Sequence, residues 1–144
     1  MGKITIFDPE TSAFVSPRDA YPADVLAVIS DEELDRSAVR WHHAGSATEL
    51  QMFEMQLEPG ARLAPHAHAA SEIIAVLSGE LVVGSTGYGA GASFLVPGGT
   101  VYSVSAGDEG CRFFNFRAAA DTTYFTREQA LERRRAETAA PGDE

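Results

Sequence analysis

From Thr48 to Phe116 the apolar residues fall into short runs, several of them alternating with polar positions at a period of two, as at Phe53, Met55 and Leu57. Alternation of that kind places one side of an extended chain against a core and the other towards solvent. Turn signals punctuate the runs at Pro59-Gly60, Ser78-Gly79, Gly84 to Gly91, Pro97-Gly98-Gly99 and Ala106 to Gly110. A spacing of about 8 to 12 residues between such signals predicts a sandwich or barrel of antiparallel strands. Residues 1–47 read as an N-terminal arm packing on that barrel. It carries a short strand at Lys3–Phe7, a Pro-broken stretch, a second apolar piece at Val25–Ile29 and a helical turn opening at Ser30-Asp-Glu-Glu. Residues 48–117 form the barrel, and 118–144 form a C-terminal extension. In the extension, Thr126 followed three residues later by Gln129 predicts a capped helix over about 126–138, then a mobile acidic tail beyond Pro141-Gly142.

Composition narrows the function classes. A single chain of 144 residues buries a core of its own without disulfide staples. The formal net charge of −10 repels nucleic acid and anionic membranes, so the expected partner is a small molecule, with no nucleic acid and no membrane. No apolar run approaches the ~20 residues of a membrane helix, and no apolar leader follows Lys3; a cytoplasmic protein is expected. Cys111 is the single cysteine, which excludes an internal disulfide. The glycines of GSTGYGAG sit between two strand-like runs and read as a hairpin, and no phosphate-binding loop follows a strand.

The chemistry concentrates in GARLAPHAHAASEIIAVLSG, Gly60 to Gly79. His66 and His68, two apart on an extended chain, face the same side about 6 to 7 Å apart. Glu72 opens an apolar run, and a carboxylate buried there needs a cation or a dense set of donors to meet it. Two imidazoles and a carboxylate form the facial set of non-haem Fe(II) oxygenases, and they also accept Mn, Ni, Cu or Zn.

The same stretch matches G-x5-H-x-H-x3-E-x6-G at Gly60, His66, His68, Glu72 and Gly79, the first motif of the cupin superfamily. The second motif, G-x5-P-x-G-x2-H-x3-N, is met by Gly91, Pro97 and Gly99, then departs: Tyr102 stands in place of the histidine and Ala106 in place of the asparagine. The wording YGAGASFLVPGGTVYSVS followed by DEGCRFFNF also resembles cupins of the ChrR and dihydroxyacetophenone-dioxygenase types. The resemblance implies an all-β, double-stranded β-helix, a jelly-roll barrel in which His66, His68 and Glu72 bind one divalent ion, with Fe(II) favoured, and Tyr102 occupies the fourth ligand's place. Tyr102 is then either a tyrosinate ligand to ferric iron or, as preferred here, a protonated donor beside the site. Tyr102 and Glu72 are the expected catalytic residues.

Phe53, Met55, Ile74, Phe94 and Arg62 are expected to line a substrate pocket, and Trp41 to pack or close it. Arg112 and Arg117, with Arg62, are candidate anchors for an anionic group. His42 and His43 point opposite ways on a strand and cannot chelate one ion together. The expected function is a metal-dependent small-molecule enzyme with a slight preference for dioxygenase chemistry. Zn, Ni or Mn Lewis-acid isomerisation, cyclisation or elimination is the alternative, as is a ligand-binding or sensory protein that turns nothing over. A homodimer is the expected assembly, through pairing of the apolar arm pieces with a barrel edge.

Overall fold

The computed structural model describes residues 2–139; the expected acidic tail lies outside them. Eight strands form one sheet that curls into a jelly-roll barrel: β1 (Ser37–His43), β2 (Gln51–Leu57), β3 (Arg62–Ala67), β4 (Glu72–Val83), β5 (Thr86–Tyr88), β6 (Ser93–Val96), β7 (Tyr102–Arg117) and β8 (Phe125–Thr126). The order runs β1-β2-β7-β3-β8, and β4 pairs with β5, β6 and β7, all antiparallel.

The two long strands explain the closure. The C-terminal half of β7 lies between β2 and β4, and its N-terminal half lies between β3 and β4. On β4 the ladder to β7 shifts between Val76 and Ser78 and again between Gly79 and Leu81. The expected turn at Ser78-Gly79 is therefore a kink inside one strand. Gly79 adopts φ 73°, and a Cβ there would stand 2.2 Å from the Gly110 carbonyl oxygen, so only glycine permits the bend. Opposite it, pairing passes from Cys111 to Ala106, and residues 107–110 bulge out as the expected turn signal required.

Inward positions along these strands build the core, among them Val39, Leu57, Leu63, Ile74, Val76, Leu81, Val104 and Phe113. The sheet begins earlier than the expected residue 48, since β1 starts at Ser37 and pairs with β2 over its length.

The N-terminal region departs further from expectation. Lys3–Phe7 joins no ladder, and its alternation leaves Ile4 and Ile6 exposed while Phe7 stacks on His42. Val25–Ile29 is not a strand either. It belongs to a run of short helices, α1 (Pro17–Ala20), α2 (Ala23–Leu26) and α3 (Asp31–Asp35), the first and third capped by the Ser16 and Ser30 hydroxyls. Val25 and Ile29 stand four apart, the helical spacing, and with Leu34 they form a second small core. The C-terminal helix α4 (Arg127–Ala139) opens with the reciprocal capping pair of Thr126 and Gln129. No helix among the described residues is long and apolar enough to cross a membrane.

Candidate functional site

Inward-facing residues of β2, β3, β4 and β7 surround a cavity of about 160 Å3. The α1 to α3 segment covers one side with Tyr21, Val25, Ile29 and Glu33, and the 121–124 segment closes another. Phe53, Met55 and Ile74 line it, as does Trp41. Two expected pocket residues lie elsewhere. Arg62 is exposed and bonds through Nε to Ser103 Oγ, because its position on β3 faces outward beside the inward Leu63. Phe94 of β6, paired with Ile74 of β4, packs against the core and Tyr88 without lining the cavity.

At the polar end, His66 on β3 stands opposite Tyr102 on β7, and His68 follows at the end of β3. Each imidazole is fixed by a backbone carbonyl: His66 Nδ1 to Ala64 O at 2.7 Å and His68 Nδ1 to Thr123 O at 2.5 Å. A carbonyl only accepts, so Nδ1 carries the hydrogen in both rings and Nε2 keeps the lone pair. The rings meet edge to face at 5.0 Å, and His66 also stacks on Tyr124 at 4.8 Å. Burial, then the neighbouring His68, pushes His66 down to about 4, and burial with the Arg117 charge lowers His68 as well. Both rings are neutral at pH 7.

Glu72 is 2% exposed. Its predicted need for a cation is met from within the chain. Arg117 donates from Nε at 3.1 Å and lies at 3.0 Å through Nη2, both to Oε2, while the Tyr102 hydroxyl donates to Oε1 at 2.5 Å. Burial, then the Glu72 charge, keeps the Tyr102 phenol well above its ordinary value. It is therefore protonated, with its hydrogen committed to Glu72. Arg117 also donates from Nη1 to Gln51 Oε1 and to the Asp121 carbonyl, which ties the 118–124 segment to the barrel. Asp121 in turn caps this segment by accepting from Ala70 N, Thr123 N and Thr123 Oγ1.

The Glu72 oxygens accept from a guanidinium and a phenol, and among the described residues no three His, Cys, Asp or Glu side chains are grouped to hold one ion. The two imidazoles keep their Nε2 lone pairs. His42 and His43 are engaged elsewhere, with Glu54 and Thr5 respectively.

Sequence reasoning missed three contributors. The α1 to α3 segment, expected as a Pro-broken stretch, an apolar piece and a helical turn at Ser30, is not placed over the cavity by that reading, although the i, i+4 pair Val25 and Ile29 carries the helical signal. Asp121 and Tyr124 lie past the expected end of the barrel. Asn115 was passed over inside the aromatic run Phe113-Phe114-Asn115-Phe116, yet its alternation with Phe113 and Arg117 sets it on the inner face. There it lines the cavity, 4% exposed, and its Nδ2 is the one buried side-chain polar atom among the described residues with no hydrogen-bond partner.

An antiparallel jelly-roll barrel with its polar cluster inside defines the class. The chain carries a cupin domain: the family model described as "Cupin domain" matches residues 53–116. Among solved structures it is similar to the polyketide cyclase RemF from Streptomyces resistomycificus, with 15% identity, TM-score 0.64 and coverage of 92% of this chain and 94% of that one. It is similar to KdgF from Halomonas sp. with 15% identity, TM-score 0.60 and coverage of 81% and 94%. A salicylate 1,2-dioxygenase variant from Pseudoaminobacter salicylatoxidans, in complex with gentisate, matches with 21% identity, TM-score 0.51 and coverage of 58% and 25%. These likenesses establish the fold. No curated protein sequence matches the chain.

Proposed function

We propose that this cupin is a small-molecule enzyme that moves a proton on a neutral carbonyl compound held in the barrel cavity. The observation that carries the reading is the pair of imidazoles at the polar end of the cavity, each pinned through Nδ1 so that Nε2 keeps the lone pair. An Nε2 lone pair accepts a proton from carbon next to a carbonyl, the C–H electron pair forms the enolate, and the same proton is returned to carbon or oxygen. Isomerisation and ring closure both begin with that step. Tyr102 and Glu72 act here as positioning residues: they hold Arg117 and the wall carrying His66 in place, since neither offers a free proton or a free charge to the cavity. The similarity to a polyketide cyclase over nearly the whole chain accords with this class of reaction.

The test is deuterium exchange from solvent into the α-positions of small ketones, followed by NMR. Exchange is expected with the wild type and is expected to be lost in His66→Ala and His68→Ala. Absence of exchange in the wild type with every ketone tried overturns the proton-transfer reading.

A second reading, the metal-dependent dioxygenase or Lewis-acid enzyme, retains the support of the same two imidazole donors and of the His66, His68 and Glu72 motif. Beside the bonds from Tyr102 and Arg117, each Glu72 oxygen keeps a second lone pair that could meet the ion. Stoichiometric Fe(II) or Zn in protein purified without an affinity tag, with oxygen uptake for the iron form, would establish it. The homodimer stays part of the proposal. Ile4 and Ile6, 86% and 85% exposed, are the surface it would cover, and a monomer in light scattering at high micromolar concentration removes it.

A further inference from the structure

Strand register explains why the Asn115 amide lacks a partner. On β7 it lies between Phe53 of β2 and Ile74 of β4, its paired residues on either side, and both are apolar. Along its own strand the inward neighbours are Phe113 and Arg117. Arg117 donates to Glu72, Gln51 and Asp121 and accepts nothing. An amide N–H shut away from water with no acceptor costs about 1 to 3 kcal/mol, so a position of this kind is expected where something else supplies the acceptor. The cavity that Asn115 lines has the room: about 160 Å3, against the roughly 150 Å3 that suffices for benzene in an apolar protein cavity.

The charge balance selects the kind of acceptor. The cation at this wall, Arg117, is already paired with Glu72. Glu33 also lines the cavity, its carboxyl raised by burial and its Oε1 accepting from Ala64 N. An organic anion entering here would find no unpaired positive charge, and the desolvation of its carboxylate would go unrecovered. A neutral oxygen would find the waiting N–H of Asn115.

We infer that Asn115 is the specificity-determining residue of the cavity, donating Nδ2–H to the oxygen of a neutral, single-ring-sized carbonyl ligand whose hydrocarbon body rests on Phe53, Met55, Ile74 and Phe113. The inference names the substrate class of the proposed proton-transfer site and so rests on that reading.

Three probes of similar size isolate the contact. Cyclohexanone carries the acceptor, methylenecyclohexane has the same shape without it, and cyclohexanecarboxylate carries a charge. Binding is measured by calorimetry or by NMR titration on the full chain, in wild type and in Asn115→Leu. Wild type is expected to prefer cyclohexanone to methylenecyclohexane by about tenfold, the worth of one buried hydrogen bond, and to bind cyclohexanecarboxylate more weakly than either. In Asn115→Leu the tenfold preference is expected to fall to near unity, because methylenecyclohexane keeps its affinity while cyclohexanone loses its partner. The unliganded variant should melt no lower than wild type, since the unpaired donor is gone. Asn115→Gln serves as a second variant should Leu fail to fold, and it is expected to weaken cyclohexanone by displacing the donor. Equal binding of the two neutral probes to wild type, a preference unchanged in Asn115→Leu, or tightest binding of the carboxylate each overturns the inference. Selectivity that depends on Asn115 without α-deuterium exchange in cyclohexanone would sustain the ligand assignment and remove the proton-transfer reading. Exchange with no Asn115-dependent selectivity would do the reverse.

Discussion

Two glutamates, Glu54 on β2 and Glu72 on β4, are both almost completely buried and both matched to arginine, and they differ in what lies beside them. Glu54 is on the outer face of the sheet beneath the N-terminal arm. Arg40, opposite it on β1, donates to Oε1 at 3.0 Å, Arg112 donates to Oε2 at 2.5 Å, and His42 completes the set at 3.0 Å. Phe14 lies over the Arg40 guanidinium. Both Glu54 oxygens are answered within that cluster, which reads as a structural clamp. Glu72 is answered by one arginine and one tyrosine, and both partners line the cavity together with two imidazoles and an unanswered amide. Both carboxylates are buried and paired; an unsatisfied neighbour is what separates a site from a strut.

The largest expected effect falls on the strut. Glu54→Ala leaves two arginines facing each other beneath the arm and is expected to cost about 3 kcal/mol, or about 10 °C in melting temperature. Ligand binding in the surviving folded fraction should be unchanged. A loss below 1 kcal/mol, read by denaturant titration, would show that the arm opens and lets water answer the arginines.

Glu72→Gln is the matching change at the site, and its effect should appear in selectivity. With Glu72 neutral, the buried Arg117 charge is unmatched, and an anion in the cavity can answer it. Cyclohexanecarboxylate is expected to gain about tenfold in affinity relative to cyclohexanone, whereas Glu54→Gln should leave the ratio as it is. An unchanged ratio in Glu72→Gln would mean that the Arg117 charge does not reach the ligand.

This contrast was half legible in the chain. The barrel, its turns, the capped C-terminal helix and the inward pair of His66 and His68 follow from period-two alternation, glycine and proline punctuation and a local capping pattern, all of which act over a few residues. The need of Glu72 for a cation was also readable, because burial of a carboxylate in an apolar run requires one. That Arg117 meets it depends on β4 and β7 pairing in a register that sets residue 72 beside residue 117, a contact 45 residues away in sequence that no local pattern encodes. Val25–Ile29 went the other way. Five apolar-rich residues suit a strand or a helix equally, and tertiary cover over the barrel decided for the helix.

Acid should act mainly on the clamp. Burial pushes the Glu54 carboxyl up, but the hydrogen bonds from Arg40, Arg112 and His42 outweigh it and hold the group below its usual 4.5. Asp121 is lowered too, with its bonds from Thr123 and Ala70 overcoming burial. A carboxyl with a depressed folded value stabilises fully above its unfolded value, and that contribution is lost as the pH falls towards the folded one. Stability should therefore be flat from pH 7 down to about 5 as far as these groups go. It should then fall by up to about 1.4 kcal/mol per pH unit for each carboxyl. In Glu54→Gln the acid slope should be smaller, with Asp121 supplying the remainder. An identical slope in wild type and Glu54→Gln, measured by denaturant titration between pH 3 and 5, would show that Glu54 gains nothing from its partners.

The smallest effect belongs to Tyr102, where the comparison is sharpest because a single hydroxyl is removed. Tyr102→Phe deletes the donor to Glu72 Oε1 and leaves Arg117 on Oε2, so Glu72 stays paired with its cation and loses one bond. The expected cost is about 1 to 2 kcal/mol, at the low end of hydrogen bonds to charged groups because the ion pair persists. The phenol itself should stay protonated well into alkaline pH, since burial and the Glu72 charge both oppose its ionisation. Near-ultraviolet titration should accordingly show three of the chain's four tyrosines, Tyr102, Tyr21 and Tyr124, ionising later than an ordinary phenol. Colour from a tyrosinate-to-iron band in iron-loaded protein, bleached in Tyr102→Phe together with loss of the metal, would reverse the assignment. Tyr102 would then be a ligand.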